Sequence, residues 1–216
     1  MSADGRATAI SDAPEEVRPE EVQSPSGDSA RAETEVPLSP AALLEFLRDS
    51  ERLFRLNPHL EIEAWQPAPG GFRFAAKNES NGRRIETAVI VEAASPKDSL
   101  VLSYADGLKR STTLAVEPAG TGARLVVTEH YPRIEDPRDP RVADVDRSLV
   151  PWVAALRRHL IARARWNWLP GWQWWNERFL LGMPPPHRRI VRLIVWVSAL
   201  EFVVFLGAIV ILRLSS

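Results

Sequence analysis

EVPLSPAALLEFLRDSERLFRLNP, residues 35–58, is the stretch on which the reading of the fold turns. Ser39 followed by Pro40 is a helix start: a hydroxyl able to accept from an unpaired N–H, then a ring suited to the first helical position. Leu43, Phe46 and Leu47 follow at i, i+3 and i+4 and make one apolar stripe. Asp49 or Ser50 can cap a second short helix that ends near Asn57-Pro58. A short edge strand, ETEVPL (33–38), precedes them.

Downstream, turn signals recur at regular spacing: PAPGG (67–71), SNG (80–82), ASPKD (94–98), ADG (105–107) and AGTG (119–122). Between them lie strand-like runs at 60–66, 72–79, 85–93, 99–105, 108–117 and 123–131. Their short connections predict a six-strand antiparallel meander. Alternation supports it. Phe72, Phe74 and Ala76 share one face, as do Ile85, Thr87, Val89 and Val91, and Leu125, Val127, Glu129 and Tyr131. Asp139-Pro140 then caps a long helix over 139–166, with Val142, Val145, Leu149, Trp152, Leu156 and Leu160 as its stripe. Pro151 inside it should kink it or free a backbone carbonyl. A sheet this long must curl and cover its apolar face, and the long helix is the one element large enough to do so. The expected fold class is α+β, a helix held in a curved antiparallel sheet.

This order resembles the START-like, or SRPBCC, superfamily with the helix-grip fold (polyketide cyclase/dehydrase-like). EVPLSPAALLEFLRDSERLFRLNP looks like that family's opening segment, and the resemblance covers about residues 31–166. It implies a carrier of hydrophobic ligands held between sheet and helix; some members are cyclases or hydrolases, and some are co-chaperones.

The inward positions expected to meet a ligand are Phe54, Trp65, Phe72, Phe74, Val89, Tyr104, Val127, Tyr131, Trp152 and Leu156. The same residue types also build an ordinary core, and a one-residue slip would flip a strand's set. Glu129 is the weak catalytic candidate, because a carboxyl in an apolar cavity has a raised pKa and can act as a general base. On a strand His130 points away from it. Asn57 or Tyr104 could orient a substrate. No Ser-His-Asp order, phosphate-binding glycine loop or metal-ligand spacing is present, so a non-catalytic binder is favoured over an enzyme, with no cofactor and no metal. A cyclase- or hydrolase-type enzyme using Glu129, a quinone-binding protein at a respiratory membrane, and a membrane-tethered interaction module remain open.

Composition narrows the classes further. Lys+Arg number 27 against 28 Asp+Glu, which argues against a nucleic-acid partner. Cysteine is absent, which excludes disulfides and thiol chemistry.

The ends differ sharply. Residues 1–33 carry eight acids against three arginines and almost no large apolar residue. Residues 1–31 are therefore expected to be a disordered acidic tail, without the features of a signal peptide. LIVWVSALEFVVFLGAIVIL (193–212) has 20 residues broken only by Ser198, Glu201 and Gly207. It reads as a transmembrane helix within 190–213, giving a tail-anchored, single-pass protein whose partner is the lipid bilayer. Glu201 costs about 3 kcal/mol at mid-bilayer, less than the run's summed apolar gain. Between 167 and 189 lies a Trp/Arg-rich juxtamembrane segment. Trp166, Trp168, Trp172, Trp174 and Trp175, with Arg188, Arg189 and Arg192, are the expected headgroup contacts. Pro184-Pro185-Pro186 reads as a helix stop and a stiff joint. Three arginines before the span against Arg213 after it put the N-terminal domain in the cytoplasm, at the inner membrane if the host is bacterial.

Overall fold

The computed structural model describes residues 19–21, 28–94, 98–136 and 138–214. Strands β1 (Pro19–Glu21) and β2 (Asp28–Val36) lead into helices α1 (Pro40–Leu47) and α2 (Ser50–Arg55). The meander follows as β3 (Leu60–Ala68), β4 (Gly71–Asn78), β5 (Arg83–Ala94), β6 (Ser99–Tyr104), β7 (Ser111–Ala119) and β8 (Gly122–Tyr131). Helices α3 (Leu149–Trp166) and α4 (Pro185–Leu214) complete the chain.

The strands form one antiparallel sheet in the order β1-β2-β8-β7-β6-β5-β4-β3. Helices α1 and α2 carry the chain from β2 to the opposite edge, and the meander returns strand by strand until β8 pairs with β2. Close approach at that junction requires glycine: a Cβ on Gly122 would lie 2.2 Å from the Val36 carbonyl oxygen. The curved sheet grips α3, whose Leu149, Trp152, Val153, Leu156 and Leu160 are buried against it. Each such apolar side chain contributes about 1.5–3 kcal/mol relative to exposure.

The opening helices form as their caps dictate. Ser39 Oγ accepts from Ala42 N at 3.3 Å, and Leu43, Phe46 and Leu47 are buried. The cap of α2 is Asp49, whose Oδ1 accepts from Arg52 N at 3.1 Å. The expected strand faces hold: Phe72, Phe74, Ala76, Thr87, Val89, Leu125, Val127, Glu129 and Tyr131 are all buried.

Five local expectations are corrected. Strand β2 begins at Asp28, not residue 33, and pairs with β1 as well as β8, so the sheet reaches into the stretch assigned to the tail. Most of that tail lies outside the described residues. Strand β7 begins at Ser111, which leaves Leu108, Lys109 and Arg110 in its connection. Asp139 caps only a short 3-10 turn, Pro140–Asp144; the chain then runs out of helix and α3 starts at Leu149. Pro151 therefore sits in the first turn of α3, where an N–H has no intrahelical partner anyway, and does not kink it. Finally, the triple proline does not stop a helix. Pro185 and Pro186 open α4.

Segment 167–184 folds back on the domain. It contains a π-helical turn, Trp174–Leu180, and buries Leu180 and Leu181. Arg188 of α4 is also buried: its Nε donates to Met183 O at 2.6 Å and its Nη1 to Arg55 O at the end of α2. Beyond this joint, the apolar stretch of α4 is exposed, and the helix is long and apolar enough to cross a membrane.

Candidate functional site

Because α3 begins at Leu149 rather than 139, it covers only part of the inner sheet face. A cavity of about 370 Å³ remains. Its walls come from β4, β5 and β6, the end of α2, the first turn of α3, and the connections 105–109 and 144–146. Apolar and aromatic groups (Phe54, Leu60, Phe74, Ile85, Tyr104, Leu108, Tyr131, Trp152) form one part of the lining, and polar and charged groups form the rest. Phe54 organises this side, with ring centroids 5.2 Å from Phe74, 5.3 Å from Phe72 and 5.8 Å from both Trp65 and Trp152. The indole Nε1 of Trp152 donates to Leu53 O at 2.9 Å, which fixes the ring.

The cavity also has a polar boundary built from Asn57, Asn78, Lys109 and Asp146. Lys109 Nζ donates to Asp146 Oδ2 at 2.7 Å and to Glu129 Oε1 at 2.5 Å. Glu129 Oε2 accepts from the Tyr131 hydroxyl at 2.6 Å. Asp146 Oδ1 accepts from Ser148 N at 2.9 Å and from Ser80 Oγ at 3.2 Å. Asn57 Nδ2 donates to Ser148 Oγ at 2.8 Å.

One ammonium thus serves two carboxylates, and the three groups divide the protons unequally. Burial pushes the Glu129 carboxyl above the usual range, although Lys109 pulls the other way. Burial also acts to raise Asp146, but the Lys109 charge and hydrogen bonds from Lys109 and Ser148 outweigh it and hold Asp146 well below the usual range. Burial alone would lower Lys109; the two carboxylates more than reverse this and keep it protonated.

Of the ten inward positions expected from sequence, Phe54, Phe74, Tyr104, Tyr131 and Trp152 line the cavity. Trp65, Phe72, Val89, Val127 and Leu156 do not; they belong to, or pack against, the hydrophobic core. Glu129 is corrected as well. It is fully buried, tied to Lys109 and Tyr131 and absent from the cavity wall, so it does not face the void as a general base would. Lys109, Asp146 and Asn78 are the residues that sequence reading missed. The signal for Asp146 was its spacing to Ser148, an Asx-type turn ahead of a helix; the assumption of continuous helix hid it.

A second ion cluster holds segment 167–184 against the domain. Glu177 Oε2 accepts from Arg52 Nη1 of α2 at 2.8 Å, Oε1 accepts from Arg163 Nη1 of α3, and His159 Nε2 lies 3.4 Å from Oε1. Burial would raise Glu177, but these partners hold it down at about 2. Trp172 sits 6.0 Å from the His159 ring. Of the expected headgroup contacts, Trp166, Trp168, Trp174, Arg189 and Arg192 are exposed, Trp172 and Trp175 are half-buried, and Arg188 is buried in the joint.

No family model matches the chain, and no curated protein matches it. Solved structures do. A protein from Thermus thermophilus superposes with a TM-score of 0.50 at 19% identity, covering 63% of this chain and 99% of its own. An aromatase/cyclase from a Streptomyces species gives 0.50 at 14% identity, covering 63% and 95%. A START superfamily protein from Mycobacterium smegmatis gives 0.47 at 16% identity, covering 61% and 96%. The fold is START-like, as the opening segment implied.

Proposed function

We propose that the chain is a membrane-anchored START-like domain that holds an apolar small molecule or lipid between its sheet and α3. The observation that carries this reading is the cavity of about 370 Å³, with an aromatic wall that includes the hydrogen-bonded Trp152 ring and a polar wall that includes Asn57, Asn78, Lys109 and Asp146. That combination is what a small-molecule site requires. A side-chain-sized apolar group moved into it from water contributes about 1.5–3 kcal/mol, so a short acyl or polycyclic body suffices for binding.

Helix α4 supplies the anchor. It has 30 residues, of which about 20 suffice to cross the hydrocarbon core. Arg189 and Arg192 are exposed before the span and Arg213 follows it, a bias that favours a cytoplasmic domain. The joint at Arg188 fastens α4 to the end of α2, whose neighbours Phe54 and Asn57 line the cavity, so the anchor holds the cavity close to the bilayer.

A cyclase-type reaction is the second reading. Lys109 and Asp146 border the cavity as a proton donor and an acceptor, and one structure of the same fold is an aromatase/cyclase.

The test is saturable uptake of the neutral fluorophore 1-aminoanthracene by the full chain in amphipol, with Ile85→Trp as the variant that fills the cavity. Uptake that Ile85→Trp abolishes supports the reading; uptake equal in both proteins overturns it. Alkaline carbonate extraction tests the anchor. The chain is expected in the membrane pellet, and release to the supernatant contradicts anchoring.

A further inference from the structure

Around Lys109, the inner polar wall of the cavity has committed its carboxylates and kept donors in hand. Lys109 carries three N–H bonds and spends two of them, on Glu129 and Asp146. Its ammonium stands 5.8 Å from the centre of the Tyr104 ring, on the cavity wall. Asn78 is fully buried, and its Oδ1 accepts from Ser80 N at 2.9 Å, which fixes the amide so that Nδ2 is the free end. That Nδ2 lies close enough to Asp146 to help hold it ionised, yet meets no acceptor at hydrogen-bonding geometry. The Tyr131 proton is committed to Glu129, and Asp146 already accepts from Lys109, Ser148 and Ser80. A buried donor without a partner costs free energy that a ligand oxygen recovers.

Charge decides which oxygen fits. One ammonium between two carboxylates leaves the cluster with no positive charge to spare. The mouth adds none from its arginines: Arg83 is paired with Asp144 at 2.9 Å and Arg84 with Glu63 at 3.0 Å. A ligand carboxylate or phosphate would lose its hydration and gain no uncompensated cation in return. A ketone, ester or hydroxyl oxygen accepts the same N–H bonds without bringing a charge.

We infer that the cavity selects neutral ligands that place a carbonyl or hydroxyl oxygen against Lys109 and Asn78, and rejects isosteric carboxylates. This rests on the ligand-binding reading above and adds the ligand's chemical class to it.

The matched probes are tridecan-2-one and dodecanoate, which differ by a methyl in place of the charged oxygen. Each is titrated against 1-aminoanthracene bound to the full chain in amphipol, at about pH 8, where carboxylates are ionised. Residual signal from the cavity-filled Ile85→Trp chain is subtracted. The ketone is expected to displace the dye at a concentration at least about tenfold lower than dodecanoate. Asp146→Asn keeps a side chain of the same shape and removes one negative charge; it should narrow that ratio by about tenfold through a gain for dodecanoate. Equal or tighter binding of dodecanoate by the native chain overturns the inference, as does a ratio unmoved by Asp146→Asn in a protein that still binds the dye. If neither probe nor dye binds the native chain, the ligand-binding reading itself fails and takes this inference with it. Should Asp146→Asn not fold, Glu129→Gln makes the same change of charge from behind Lys109, with the same expected narrowing.

Discussion

Among the described residues, two largely buried ion clusters have opposite stoichiometry. Beside the cavity, one cation (Lys109) serves two carboxylates (Glu129 and Asp146). On the far side of α2 and α3, one carboxylate (Glu177) serves two guanidinium groups (Arg52 and Arg163), with His159 alongside. The second cluster joins three segments of chain, and the cleft that Arg52 and Glu177 border is lined mainly by charged and polar groups (Asp49, Glu51, Arg55, Gln173, Arg178); it acts as a fastener. The first borders a void and leaves donors unspent, and this is what an open binding site needs. The difference lies in what surrounds the charges more than in the charges themselves: packed helices in one case, an uncovered stretch of sheet in the other.

The largest expected effect comes from removing the single cation of the first cluster. Lys109→Met strands two buried carboxylates and should cost about 3–5 kcal/mol, read as a lowered denaturation midpoint. Little or no loss of stability would mean that Lys109 is not the keystone of that cluster. Next is Trp152→Phe, which removes the hydrogen bond to Leu53 O and part of the ring that bounds the cavity. A loss of about 1–3 kcal/mol is expected, together with a changed affinity for 1-aminoanthracene. Unchanged dye binding would move the cavity's effective wall elsewhere.

Breaking the fastener should be milder and should spare the ligand. Glu177→Gln is expected to cost about 1–2 kcal/mol and to open residues 167–184 to proteolysis, with dye binding unaltered. A parallel loss of dye binding would couple the two clusters and dissolve the contrast between them. The smallest effect is a pH step. The folded pKa of Glu177 is depressed from 4.5 to about 2, so the fastener's contribution is complete above the unfolded value and fades as pH falls through that window. Fluorescence from the tryptophans of residues 167–184 should report a transition there that Glu177→Gln lacks.

Much of this architecture was legible in the sequence, because caps, alternation and turn spacing are local signals. Ser39-Pro40 and the stripe of Leu43, Phe46 and Leu47 place α1, and strand parity gives the inner face of β4, β5 and β8. The site was half legible. Parity says that Phe72 and Phe74 face inward together, but only the position of α3 decides that Phe74 borders the void while Phe72 does not. That position depends on the break between Asp144 and Leu149, which a periodic apolar pattern running through Val142 and Val145 concealed. Lys109 was hidden for a related reason. Reading 108–117 as strand placed it on a ladder, whereas it lies in the connection before β7 and turns inward to Glu129. The fold of segment 167–184 rests on contacts distant in sequence, such as Arg52 with Glu177, that no local pattern announces.

The claim on which the rest depends is that the cavity beside Lys109 is occupied by an apolar molecule in cells. Native mass spectrometry of the full chain, released from gently solubilised membranes, measures this directly. The expected result is a bound species of a few hundred daltons on the native chain that is missing from Ile85→Trp. A native chain that carries nothing, or a species retained equally by Ile85→Trp, would contradict it.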